Sequence, residues 1–105
     1  MNTEAKNSEY VDLWNLDNFI KFLESKPPTE TYDYTDPQGC AVYQYIKASG
    51  VAVYDVGLCG WRPSEGLEDL PLPYTFNAIN NGIGGRGTFG AALERAKLAR
   101  YLANK

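Results

Sequence analysis

Two cysteines and no histidine set the first limits on the chemistry open to this chain. Ser-His-Asp and Cys-His systems need an imidazole to take the nucleophile's proton, so both are excluded in their usual form. Metal sites built on histidine go with them. Cys40 and Cys59, 19 residues apart, also lack the second Cys-x-x-Cys pair that a zinc site would need. Cys40 falls in the first turn of an expected helix, where the positive end of the dipole favours a thiolate. The string Gln38-Gly39-Cys40 before an apolar helix resembles, over a short stretch, the nucleophile helix of papain-like enzymes. A thiol enzyme built on Cys40 is one reading of that position. A small apolar side chain on the inner face of a helix is the other.

The run Asn80-Asn81-Gly82-Ile83-Gly84-Gly85-Arg86-Gly87-Thr88-Phe89-Gly90 satisfies G-x-G-x-x-G at Gly82, Gly84 and Gly87. A dinucleotide site also needs a strand leading in and a ribose-binding acid some way downstream, and neither is present. No Gly-Lys-Ser/Thr follows, so the loop is not a phosphate-binding P-loop. A more general chemistry survives. Amides at Gly84, Gly85, Gly87 and Thr88, beside a helix N-terminus and Arg86, suit a small anion or nucleotide phosphate. The alternative is a loop whose glycines serve tight turns ahead of the helix cap.

Trp61-Arg62-Pro63 lies in a Gly/Pro-rich stretch, and Trp and Arg are frequent interface hot spots. A Trp placed there also suits the edge of a core. The neighbouring Glu65, Glu68 and Asp69 fit a solvated rim better than an acid–base pair. Tyr32, Asp33, Tyr34 and Asp36 form a second cluster of acids and tyrosines.

The elements that must position these groups follow from periodicity. Asp17 caps an expected helix over 17–25, with Phe19, Ile20, Phe22 and Leu23 as its apolar stripe and Pro27-Pro28 as its stop. Asp36-Pro37 reads as the cap and first position of a second helix over 37–48, ending at Gly50. Val51–Val56 is the clearest strand, and Tyr32–Thr35 or Tyr10–Trp14 are its expected partners. Residues 57–73 read as loop, and a helical turn is expected at 75–80. Thr88 caps a last helix to about Ala103. Phe89, Ala92, Ala96, Ala99 and Ala103 form its buried stripe, and Leu93, Leu98 and Leu102 are expected to widen it.

These elements give an α+β class: a small single domain, mainly helical, with three helices and a short two- or three-stranded sheet. A flexible N-terminus over 1–8 and one globular domain over 9–105 are expected. With 44% hydrophobic residues the chain can bury a core, and eight of its aromatics are tyrosines, which pack while keeping a polar tip. No apolar run approaches the length of a membrane span, and no signal-peptide pattern opens the chain. Cytoplasmic residence with reduced thiols is the corresponding expectation.

Charge is unevenly distributed. Residues 1–85 carry twelve acids and five bases, and residues 86–105 carry five bases against Glu94. An acidic body lacks the basic face that phosphate attraction requires, which argues against direct nucleic-acid binding. The basic helix also complements its own macrodipole.

The order Asp17-Asn18-Phe19-Ile20, then Cys40-Ala41-x-x-Gln44-Tyr45-x-Lys47, then Thr88-Phe89-Gly90-x-Ala92-Leu93-x-Arg95-Ala96 resembles small uncharacterised accessory proteins of phages and prophages. The likeness implies a context and no site residues. It suggests a binder of a host or defence-system protein, with inhibition of machinery such as CRISPR-Cas among the roles implied. On that reading Trp61, Arg62, Tyr32 and Tyr34 are anchors, and Asp33, Asp36, Glu65, Glu68 and Asp69 face a basic surface on the target. No cofactor is expected.

Overall fold

The computed structural model describes residues 12–57, 60–81 and 87–105. Four helices and three short strands follow in the order α1 (Leu16–Glu24), α2 (Ala41–Ala48), β1 (Asp55–Val56), β2 (Gly60–Arg62), β3 (Leu70–Pro71), α3 (Tyr74–Asn80) and α4 (Phe89–Ala103). The strands form one antiparallel sheet in the order β1-β2-β3. The α+β class expected from the sequence is the observed one.

Local chemistry accounts for the helix boundaries. Asn15, two residues ahead of the expected cap, accepts from the Asn18 amide at 3.0 Å, and Asp17 falls within the first turn. Thr88 caps α4 as expected, its hydroxyl accepting from the Ala91 amide at 3.2 Å. The second helix starts later than Asp36-Pro37 suggested. Asp36 instead closes a turn: its carbonyl accepts from the Gly39 and Cys40 amides, and its carboxylate accepts from the Gln38 amide. Cys40 is left as the α2 cap, with Sγ accepting from the Tyr43 amide at 3.4 Å.

The sheet departs most from expectation. Only Asp55 and Val56 of the β-branched run join a ladder, and their partner is Gly60–Arg62 from the stretch read as loop. Tyr32–Thr35 contributes no strand, and residue 31 makes an isolated antiparallel bridge to Thr88 instead. Of the other expected partner, Tyr10–Trp14, residues 10 and 11 lie outside the described residues, and residues 12–14 form a turn and contribute no strand. Pairing places Val56, Trp61 and Leu70 in register on one face, and alternation puts Asp55 opposite Arg62 on the other.

The core is aromatic. Phe19 lies 4.8 Å from Tyr45 and 5.0 Å from Phe76 between ring centroids, and Trp14 meets both Phe76 and Trp61 edge to face. α1 and α4 form the most extensive helix pair. Ala92 and Ala96, both fully buried, let the two backbones approach closely. Tyr45 ties this core to the chain ahead of α1 by donating its hydroxyl to the Leu13 carbonyl, and burial pushes its pKa up to about 12.

Candidate functional site

The helix N-terminus beside the expected anion site has its amides engaged within the fold. The Phe89 amide donates to the Glu30 carbonyl at 2.9 Å and the Gly90 amide to the Pro28 carbonyl at 3.0 Å. The Ala91 and Ala92 amides are taken by the Thr88 hydroxyl and carbonyl. The first four amides of the helix are therefore spent inside the fold. Gly87 is a packing glycine: its carbonyl accepts from the Tyr32 amide at 2.7 Å, and a Cβ there would sit 2.7 Å from the Tyr32 carbonyl oxygen. Gly84, Gly85 and Arg86 lie outside the described residues.

Cys40 follows the second of its two readings, a small side chain on the inner face of a helix. It is 1% exposed, and desolvation raises its thiol pKa in spite of the amide and Asn80 contacts that favour the thiolate. A helix start activates a thiol only where the charge can be solvated or paired, and here burial wins. Around it runs a structural network. Asn80 Oδ1 accepts from the Val42 amide at 3.2 Å, and the Tyr32 hydroxyl donates to the Asn80 carbonyl at 2.8 Å. Arg95 donates to the Ile79 carbonyl and, at 3.0 Å, to the Tyr32 hydroxyl. It thereby satisfies end carbonyls of α3 that would otherwise be buried without a donor.

Two of the expected anchors are core residues. Trp61 is 1% exposed and Tyr32 7%, so neither presents its ring to a partner. The reason for Trp61 is register, because the residue opposite Val56 must share its inward face. Arg62 is on the outer face but engaged within the domain: it forms a bidentate pair with Asp55 and stands 3.8 Å from Asp69. That pairing holds the Asp55 carboxyl below its ordinary range.

The remaining expected residues are at the surface: Asp33, Tyr34, Asp36, Glu65, Glu68 and Asp69. Their two segments flank different parts of the sheet: Tyr34 and Thr35 lie beside Val56 and Gly57 and the Pro37 carbonyl accepts from the Val56 amide, whereas Glu65, Glu68 and Asp69 lie in the β2–β3 loop beyond Arg62. Gln38, next to the Asp36 turn, donates its side-chain amide to the Tyr54 carbonyl at 2.8 Å. The Tyr54 amide donates to the carbonyl of Arg62, where the β2–β3 loop begins. The carboxylates of Asp33 and Asp36 are held by amides of their own turns, and the Thr35 hydroxyl and amide lower the Asp33 pKa. From residue 30 to residue 69 the chain carries seven carboxylates against Lys47 and Arg62. Among the described residues no group of three or more His, Cys, Asp or Glu is arranged to hold a metal ion.

The chain matches no protein-family model, no curated protein and no solved structure. Its own geometry therefore carries the functional reading. Among the described residues no helix is long and apolar enough to cross a membrane.

A second surface was missed at the level of sequence. Leu98 and Leu102, expected to widen the buried stripe of α4, are 58% and 56% exposed. Tyr101 and Tyr74 are exposed at 64% and 83%. Leu98, Leu102 and Tyr74 border a groove of about 570 Å³ between α3 and α4, floored by Ala78, Ile79 and Ala99. The signal was present in the helical wheel. At 100° per residue Leu98 lies about 160° from Ala96, on the opposite side of the helix.

Proposed function

We propose that this protein is a non-catalytic binding domain that docks its exposed acidic segments on a basic surface of another protein. The observation that carries the reading is that Asp33, Asp36, Glu65, Glu68 and Asp69 are all exposed at the surface, with Arg62, the cation next to the second group in sequence, already paired to Asp55. Carboxylates held by their own turns lose little side-chain freedom on docking, and Tyr34 and Leu67 beside them add exposed apolar contact. Such a face steers a basic partner and fixes its orientation. In the setting that the sequence resemblance implies, the protein is a phage-type accessory protein, and the partner is a host or defence-system protein whose nucleic-acid-binding surface it occupies.

The test is capture of a partner from host lysate by the full chain, with charge variants run in parallel. A stoichiometric partner that is released by raised salt, and lost with Asp33→Lys/Asp36→Lys or with Glu65→Lys/Glu68→Lys, supports the reading. A partner held equally well by both variants and at high salt overturns it, because the acidic face would then contribute nothing.

A further inference from the structure

We propose that the exposed face of α4 pairs with a second copy of this chain, through an antiparallel, two-fold symmetric contact. Glu94, Leu98 and Tyr101 follow one another along α4 at intervals of four and three, the spacing of a helix–helix seam, and Lys105 lies four residues on, just past the Asn104 cap of the helix. The seam is apolar in the middle and ends in charges of opposite sign. A two-fold axis crossing α4 midway between Ala99 and Arg100 sets Leu98 against the partner's Tyr101, and Tyr101 against the partner's Leu98. The same axis sets Glu94 against the partner's Lys105 and Lys105 against the partner's Glu94. A closed two-fold contact needs this kind of self-complementarity, in which each residue meets its counterpart's complement twice. A parallel pairing would bring like charges together at both ends.

The size of the face fits the same occupant. Tyr74, Leu98, Tyr101 and Leu102 are each more than half exposed. Taken together they offer about 500 Å² for burial, and the pair about 1,000 Å², at the lower end of specific interfaces. Patches of this extent on a small soluble domain mark contacts. The association is accordingly reversible and in the micromolar range. The face lies in the C-terminal half of α4, about 15 Å along the helix from Thr88, where the chain segment leading to the acidic turn is bridged. The acidic segments stay free, and the dimer presents two sets of them.

Sedimentation velocity on the full chain across a concentration series tests the pairing without any partner protein, so its outcome is independent of the acidic-face reading. The wild-type chain shifts from monomer to dimer as concentration rises. Glu94→Lys and Lys105→Glu each weaken the dimer by roughly tenfold, because each replaces two attractive rim contacts with repulsive ones. The double variant Glu94→Lys/Lys105→Glu restores the opposite-sign pairs and recovers most of that loss. Leu98→Glu abolishes the dimer while leaving the circular dichroism melt unchanged, and if that variant misfolds the charge swap decides alone. A chain that stays monomeric at several hundred micromolar overturns the proposal. So does a dimer indifferent to both single swaps, or one that the double swap does not restore.

Discussion

Replacing Gly90 with Ala pits helix propensity against tertiary packing at a single position. Gly90 is the second residue of α4, where Ala is ordinarily the better helix former by up to about 1 kcal/mol. Sequence reasoning alone therefore expects Gly90→Ala to stabilise. The structure reverses the sign. A Cβ at Gly90 would lie 2.8 Å from the Pro28 carbonyl oxygen and 3.1 Å from Pro28 Cβ. That carbonyl cannot withdraw freely, because it accepts the Gly90 amide at 3.0 Å and sits on a proline-restricted backbone. Overpacking of this kind costs about 1–3 kcal/mol, and a stretched hydrogen bond adds up to about 1 kcal/mol. After the propensity gain is subtracted, the net destabilisation is about 2 kcal/mol, or about 10 °C in melting temperature for a domain of this size. Urea unfolding followed by tryptophan fluorescence gives the midpoint, and an unchanged slope with a lower midpoint assigns the loss to the native state. If Gly90→Ala is as stable as wild type or more so, the close approach of Pro28 to α4 is wrong, and with it the loss of the α4 amides to Pro28 and Glu30.

Three further outcomes follow from the buried groups. Tyr32→Phe strands the Asn80 carbonyl and one Arg95 donor and lowers stability by about 1–3 kcal/mol in the same urea assay; a neutral substitution would contradict the network. Tyr45 has a folded pKa raised to about 12, so its contribution is complete below the unfolded value near 10 and is lost as pH rises toward 12. Above pH 10 the unfolded chain loses this proton first, stability falls, and Tyr45→Phe moves the alkaline unfolding midpoint upward; an unmoved midpoint would count against the burial of this hydroxyl. Cys40, buried and raised in pKa, should resist iodoacetamide at neutral pH until the chain is unfolded by urea, as read by peptide mass mapping. Labelling of Cys40 at the rate of a free thiol in the folded state would restore the reactive-thiol reading.

Helices were legible where a polar cap preceded an apolar stripe. Thr88 before Phe89, and Phe19, Ile20 and Leu23 at helical spacing, fix α4 and α1 with little ambiguity. Asp36-Pro37 misled because an aspartate before a proline suits a closed turn as well as a helix cap, and only the Gly39 and Cys40 amides on its carbonyl distinguish the two. The strands were illegible for a similar reason. A β-branched run such as Val51–Val56 reports willingness to be extended, whereas pairing depends on which backbone lies alongside. The partner came from Gly60–Arg62, a run too short and Gly/Pro-flanked to show a period.

The first site residues divide along the same line. The acidity of Asp33, Asp36, Glu65, Glu68 and Asp69 was readable directly, because carboxylates in turns of a small domain are left to solvent. The sequence by itself determined an α+β chain without histidine chemistry, with an acidic body and a basic last helix. Tertiary structure decided which side of each element faces inward. Strand register turned Trp61 into the core, the close approach of Pro28 and Glu30 used up the amides of α4, and burial raised the Cys40 thiol. The small arc of Ala92 and Ala96 against α1 rotated Leu98, Tyr101 and Leu102 out to the surface. Composition cannot fix that rotation, because an apolar residue on a helix is buried only if another element comes to cover it.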